Sequence, residues 1–158
     1  MLEPDPHRRR RVLLVCSTGG HLAQLMRLRS WWEGHDRAWV TFDKADARSR
    51  LAGERTWWAH HPTTRNLPNL LHNLLLARRV LAAEKPNVVI SNGAGAAVPF
   101  MVLARRRGIP TVYVEVFDRV DSPTLTGRLV RPFTDLFCVQ WPEQQRLYRA
   151  SVVIGPLL

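Results

Sequence analysis

The run Val12-Leu13-Leu14-Val15-Cys16-Ser17-Thr18-Gly19-Gly20-His21-Leu22 sets the reading of the whole chain. Its first part is continuously apolar, without the alternation of a half-exposed strand, which suits a strand covered on both faces. Ser17 to Gly20 then reads as a turn. From His21 to Trp32 the apolar residues Leu22, Leu25, Met26 and Leu28 fall close to helical spacing. A buried strand, a glycine turn and an amphipathic helix together make the opening of a βαβ unit.

The same alternation continues downstream. Ala38 to Phe42 reads as a strand, Lys44 to Leu51 as a short helix and Thr56 to Ala59 as a short strand. After the polar loop His60 to Asn66, a long helix is expected from about Pro68 to Glu84, stopped by Pro86. Asn87 to Ser91 is a further buried strand, followed by the turn Asn92-Gly93-Ala94-Gly95. A helix from Ala96 to Arg107 ends at Gly108. Thr111 to Val116 is a strand. Ser122 is the expected N-cap of the next helix, with Pro123 at its first position and an end before Pro132. Leu136 to Val139, a short helix from Pro142 to Tyr148 and a strand from Val152 to Ile154 complete the pattern. The expected fold class is α/β, a doubly wound, Rossmann-like parallel sheet over residues 11–158, preceded by a flexible basic tail over 1–10.

The 158 residues carry a formal net charge of +10. That excess favours anionic partners: phosphates, anionic lipid surfaces or nucleic acid. It includes the run Arg8 to Arg11 and the cluster Arg105 to Arg107. No recognition-helix motif or aromatic-studded β-platform supports nucleic acid as the partner. Cys16 and Cys138 are expected to be buried free thiols, in keeping with a reducing cytoplasm. His60-His61 lacks neighbouring Cys or acidic ligands, so no metal site is expected. The longest uncharged apolar stretch, Ala94 to Ala104, falls short of the ~20 residues of a membrane span. Any membrane contact would be peripheral. The leucine-rich helix at 68–84 suits a half-buried core helix or a membrane-facing one, and Trp31, Trp32, Trp57 and Trp58 suit packing.

In such sheets ligands bind at the carboxyl ends of the strands. Three loops stand there. Ser17-Thr18-Gly19-Gly20-His21 frees backbone N–H groups at a helix start, which favours an anion. It lacks the Lys of a Walker loop and the spacing of a dinucleotide loop. His21 closes it, placed to donate to a diphosphate or to take a proton from a hydroxyl. Ser91-Asn92-Gly93-Ala94-Gly95 is a second glycine loop. Glu115 ends a strand before Phe117-Asp118-Arg119. Its carboxylate is placed either to serve an acceptor hydroxyl or to form a salt bridge with Arg119 or Arg128.

Several of these segments carry a resemblance. Thr18-Gly19-Gly20-His21-Leu22, the stretch Ser91 to Phe100, Ser122-Pro123-Thr124-Leu125-Thr126-Gly127-Arg128 and Val139-Gln140-Trp141-Pro142-Glu143 resemble one family. It comprises bacterial capsule and exopolysaccharide relatives of the membrane-anchoring subunit of the two-part dolichyl-diphosphate N-acetylglucosaminyltransferase. The resemblance runs from about Arg11 to Pro156. A more distant one is to the peptidoglycan enzyme that adds N-acetylglucosamine to lipid I.

The resemblance implies the N-terminal half of a GT-B glycosyltransferase, supplying the acceptor site and recruiting a separate donor-binding subunit to the membrane. The implied reaction is inverting transfer from a UDP-sugar to a polyprenyl-diphosphate-linked saccharide, with no metal or cofactor. Its place is the cytoplasmic face of the plasma membrane. His21 and Glu115 are the implied catalytic residues; Thr18, Gly19, Gly20, Asn92, Gly93, Gly95, Arg119 and Arg128 are the expected substrate-binding set. A non-catalytic scaffold that only recruits its partner is the alternative, and a stand-alone UDP-sugar enzyme is a rival. Two departures from the family stand out. The relatives' N-terminal membrane helix has no counterpart before Arg11, and Asp118 replaces a small residue. The ending at Leu158, where a one-chain enzyme would enter its second domain, favours dependence on a partner.

Overall fold

A computed structural model describes residues 8–158. Most of the expected tail lies outside these residues, and Arg8 to Arg10 are exposed without regular structure. Arg11 belongs to the first strand, β1 (Arg11–Val15). Its guanidinium Nε donates to the Lys85 carbonyl at 2.7 Å, tying the strand to a distant turn.

The strands that follow are β2 (Asp36–Phe42), β3 (Thr56–Ala59), β4 (Val88–Ser91), β5 (Thr111–Val114), β6 (Leu136–Val139) and β7 (Val152–Val153). All pair in parallel, in the order β3-β2-β1-β4-β5-β6-β7. The chain winds outward from β1 to β3, then crosses back to place β4 on the other side of β1. Order therefore reverses between β1 and β4, where Val15 pairs with Ser91. At this crevice the two glycine loops become neighbours, although many residues separate them in the sequence. The doubly wound, Rossmann-like expectation is borne out.

Alternation along β1 sorts the core into two layers. Leu13 and Val15 face one side, with Ala77, Val80 and Leu81 of α4 (Leu67–Glu84), Phe100, Met101 and Ala104 of α5 (Ala97–Arg106) and Val130 of α6 (Leu125–Val130). Val12, Leu14 and Cys16 face the other, with Leu22 and Leu25 of α1 (Gly20–Arg27), Trp32 of α2 (Arg29–Trp32) and Ala47 of α3 (Ala45–Arg50). Both cysteines are free and buried. Burial pushes the Cys16 thiol up to about 12, so it remains an inert core group.

Local boundaries differ from expectation: β2 starts at Asp36, the helix expected from Pro142 to Tyr148 is a 3-10 turn over Pro142–Arg146, and β7 stops at Val153. The helix expected from His21 to Trp32 breaks at Leu28, whose backbone closes α1 before α2 begins. Ser122 is not the N-cap of α6. Thr124 is, its hydroxyl accepting from the Gly127 N–H at 2.9 Å. That helix passes at Val130 into a single 3-10 turn over Arg131–Phe133 that contains Pro132. β5 ends at Val114, so Glu115 sits just past the ladder, its N–H still donating to the Cys138 carbonyl at 2.9 Å.

The tryptophans divide by position. Trp32 is buried and donates to the Leu25 carbonyl at 2.9 Å, whereas Trp31 is exposed. Trp57 and Trp58 sit half-buried on β3 and pack against opposite core layers. The long helix α4 also splits in two. Ala77, Val80 and Leu81 are buried, but Leu67, Leu70, Leu71 and Leu75 in its first half are exposed. Asn66 caps this helix by accepting from the Asn69 N–H at 2.9 Å. Buried Asn73 holds the preceding loop, pairing with both the N–H and the carbonyl of His60 at 2.8 and 2.9 Å. No helix among the described residues is long and apolar enough to cross a membrane.

Candidate functional site at the sheet reversal

The crevice between β1 and β4 opens into a cleft of about 910 Å³. Its floor is made by His21, Gly93, Tyr113 and Val116. The loop before α4 gives one wall, through Thr63 and Arg65; Arg119 and the start of α6 give the other.

His21 is fixed from two sides. Its Nδ1 lies 2.8 Å from the Ser17 hydroxyl, and its carbonyl accepts from the Asn92 side-chain amide at 2.7 Å. Ser17 also directs its hydroxyl toward the Thr18 carbonyl at 3.4 Å. When Ser17 donates there, its oxygen is free to accept from Nδ1–H, which leaves the Nε2 lone pair unprotonated. Burial holds the His21 pKa below its ordinary value of 6.5, opposed by the nearby charge of Asp118. The shift favours the neutral imidazole.

Gly93 explains why this loop needs glycine. Its φ is 122°, and a Cβ there would lie 3.2 Å from His21 Nε2 and 3.1 Å from the Tyr113 hydroxyl. Gly95 has a different reason. A Cβ there would lie 2.8 Å from the Thr63 Cβ, so the loop before α4 seats directly on glycine.

Glu115 departs from expectation. Its side chain is fully buried and does not line the cleft. No salt bridge joins it to Arg119, to Arg128 or to any other described residue. Its carboxyl instead collects hydroxyls: Tyr148 donates to Oε2, and the Thr124 hydroxyl lies 3.0 Å from each oxygen. The Val116 N–H adds a third donor at 3.0 Å. These donors satisfy a charge that burial alone would penalise. Gly127 closes over the group, since a Cβ there would meet Glu115 Oε2 at 2.6 Å. Burial, followed by the hydrogen bond to Glu115, pushes the Tyr148 hydroxyl upward. Tyr113 rises for the same first reason, with the Glu115 charge second.

The other expected residues fall into groups. Gly93, Gly95 and Arg119 line the cleft with His21; Thr18, Gly19, Gly20, Asn92 and Arg128 do not. Gly19 adopts φ 68°, yet its N–H donates to the Asp46 carboxylate of α3 at 2.8 Å. An internal carboxylate thus takes the N–H that sequence reading assigned to a ligand phosphate. Arg128 is exposed on α6. Among the described residues no group of acidic, His and Cys side chains could hold a metal ion.

Tyr113, Thr63, Arg65 and Thr124 are site residues that sequence reading missed. The motif Val139 to Glu143 also gains a role. Gln140 donates to the Glu115 carbonyl at 3.0 Å, Trp141 to Phe117 at 2.7 Å, and Gln144 to Val116 and Arg119 at 2.8 and 3.1 Å. These three side chains thus hold the carbonyls of the loop that carries Asp118 and Arg119. Gln140 also accepts from the Leu157 N–H at 2.8 Å.

Known proteins share this fold. The structure of Acinetobacter baumannii MurG superposes with a TM-score of 0.72 at 18% identity, over 92% of this chain and 45% of that one. The UDP co-structure of S. aureus MnaA gives 0.73 at 14% identity, over 94% and 45%. At such identities the likeness concerns the fold, one Rossmann-like half of a GT-B architecture, and the chain spans less than half of these proteins. By sequence, the mouse UDP-N-acetylglucosamine transferase subunit ALG14 is 27% identical over 97% of this chain and 85% of its own length. A Clostridium perfringens UDP-N-acetylglucosamine--N-acetylmuramyl-(pentapeptide) pyrophosphoryl-undecaprenol N-acetylglucosamine transferase is 35% identical, over 47% of this chain and 20% of its own. Residues 54–157 match the family described as oligosaccharide biosynthesis protein Alg14 like, and so take in the second glycine loop, Glu115 and the Gln140–Gln144 brace. The chain belongs to this Alg14-like family of oligosaccharide biosynthesis proteins.

Proposed function

We propose that this chain is the acceptor-side subunit of a two-component inverting glycosyltransferase. It holds a polyprenyl-diphosphate-linked saccharide at the cytoplasmic face of the plasma membrane, bound peripherally, in capsule or exopolysaccharide assembly. A separate donor-binding subunit brings the UDP-sugar and closes over the cleft. The observation that carries this reading is the placement of His21, held at Nδ1 by Ser17 and with Nε2 beside Gly93, on the cleft floor at the sheet reversal.

In the proposed step, Nε2 takes the proton of the acceptor hydroxyl as that oxygen bonds to the anomeric carbon from the face opposite UDP. The bond between the anomeric carbon and the diphosphate oxygen breaks, and UDP leaves with the electron pair. His21 then returns its proton to solvent. Arg65 and Arg119 line the cleft as the cations for the acceptor's diphosphate. Glu115 is a positioning residue: through Thr124 it fixes the start of α6, the cleft wall. Burial of its carboxyl behind Thr124 supports this role over that of a base.

The test is co-expression with a donor-binding subunit and assay of labelled UDP-sugar transfer. His21→Asn is expected to keep the complex and lose turnover by about a hundredfold or more, the scale of general-base catalysis. Full turnover by this variant would leave the chain as a recruiting scaffold.

A further inference from the structure

The cleft has two chemistries. Its floor is polar, with His21 and the Tyr113 hydroxyl, whereas its mouth is hydrocarbon. Leu67 and Leu70 of α4 stand on one side, Leu125 and Leu129 of α6 on the other, and all four line the cavity. They are between 41% and 72% exposed, so neither core layer uses them. Spacings of three and four residues put each pair on one helix face. Arg65 and Arg119 line the same cavity.

A sugar nucleotide has no aliphatic chain for four leucines to cover. A ligand with an anionic centre and an aliphatic tail fits both chemistries: arginines for its diphosphate, leucines for its chain. Leu71 and Leu75 carry the stripe of α4 past the cleft, and both are exposed. They do not line the cavity. Exposed leucines of α4 thus stand both at the mouth and on the outer surface beyond it. We infer that the first isoprenoid units of the acceptor lie between α4 and α6, gripped by Leu67, Leu70, Leu125 and Leu129. This inference rests on the reading of the cleft as an acceptor site.

The test is direct binding by the full purified chain, without sugar transfer. The probes are geranylgeranyl diphosphate, below its aggregation threshold, and dimethylallyl diphosphate, which shares the head group but has one isoprene unit. The long chain is expected to bind at least about tenfold more tightly, the scale of partly burying a few apolar side chains. The double variant L70Q/L129Q is expected to erase that preference and keep the melting temperature, because both side chains are exposed. L71Q/L75Q, on the same helix outside the cavity, is expected to retain the preference. Equal binding of the two probes by the unaltered chain overturns the inference. So does an equal loss in both double variants, or a self-association that only L70Q/L129Q dissolves. The binding assay does not read sugar transfer: loss of the chain-length preference counts against this inference alone, whereas failure of transfer by the recombined subunits counts against the proposed function.

Discussion

His21 and Gly93, drawn from loops far apart in the sequence, are packed so closely that a Cβ on Gly93 would stand 3.2 Å from the imidazole Nε2. The glycine is the clearance that lets the histidine reach the cleft floor. Gly93→Ala is expected to act twice. A non-glycine residue at φ 122° costs about 1–3 kcal/mol. For a domain of this size that lowers the melting temperature by roughly 2–12 °C in calorimetry. Displacing the ring should also cut transfer by the assembled enzyme more than the stability loss alone explains.

When Ser17 donates to the Thr18 carbonyl, its oxygen favours the proton on Nδ1 of His21. Ser17→Ala is expected to leave stability within about 1 kcal/mol and to lower kcat about tenfold, with KM for the acceptor little changed. Steady-state kinetics at varied acceptor check the split, and a proportional rise in KM would reassign Ser17 to binding.

The depressed His21 pKa fixes a pH signature. Because the folded-state value lies below the unfolded value of about 6.5, the unfolded chain binds the extra proton between the two. This group's stability contribution is therefore complete above the unfolded value and is lost as pH falls through that window. Activity should hold its plateau down to below pH 6.5, with an acid limb that follows the histidine. Asp118 opposes the burial effect, so Asp118→Asn should move that limb to still lower pH. Kinetic pH profiles and imidazole NMR titration of both chains are the checks.

Glu115 separates positioning from chemistry. Glu115→Gln puts an amide donor among the hydroxyls of Tyr148 and Thr124 and the Val116 N–H. The expected loss is about 1–3 kcal/mol, read by denaturant unfolding. The residual activity should keep the parent's acid limb, because the titrating base is elsewhere. Disappearance of that limb would return Glu115 to the chemistry.

The two glycine loops, the strand runs and the carboxyl-end placement were legible because each is written in consecutive residues. Strand order was not. Nothing in the local pattern says that β4 returns beside β1, and that return is what brings Asn92 and Gly93 to His21. Glu115 was misjudged for a related reason. A carboxylate ending an apolar strand reads as a rim group, and only Tyr148, from beyond β6, and Thr124 reveal it as sealed. The α6 cap moved from Ser122 to Thr124 because that hydroxyl serves two partners, the Gly127 N–H and Glu115. The Gln140–Gln144 brace left a sequence motif but no sign of its targets, which are main-chain carbonyls of another loop.

Transfer by separated and recombined subunits tests the central claim most directly. Labelled UDP-sugars and a polyprenyl-diphosphate saccharide are presented to this chain, to a donor-binding subunit, to both, and to both with His21→Asn. Product is expected only from the unaltered pair, while the variant pair still co-purifies as a complex. Full-rate transfer by this chain alone, or by the pair lacking His21, would contradict the account.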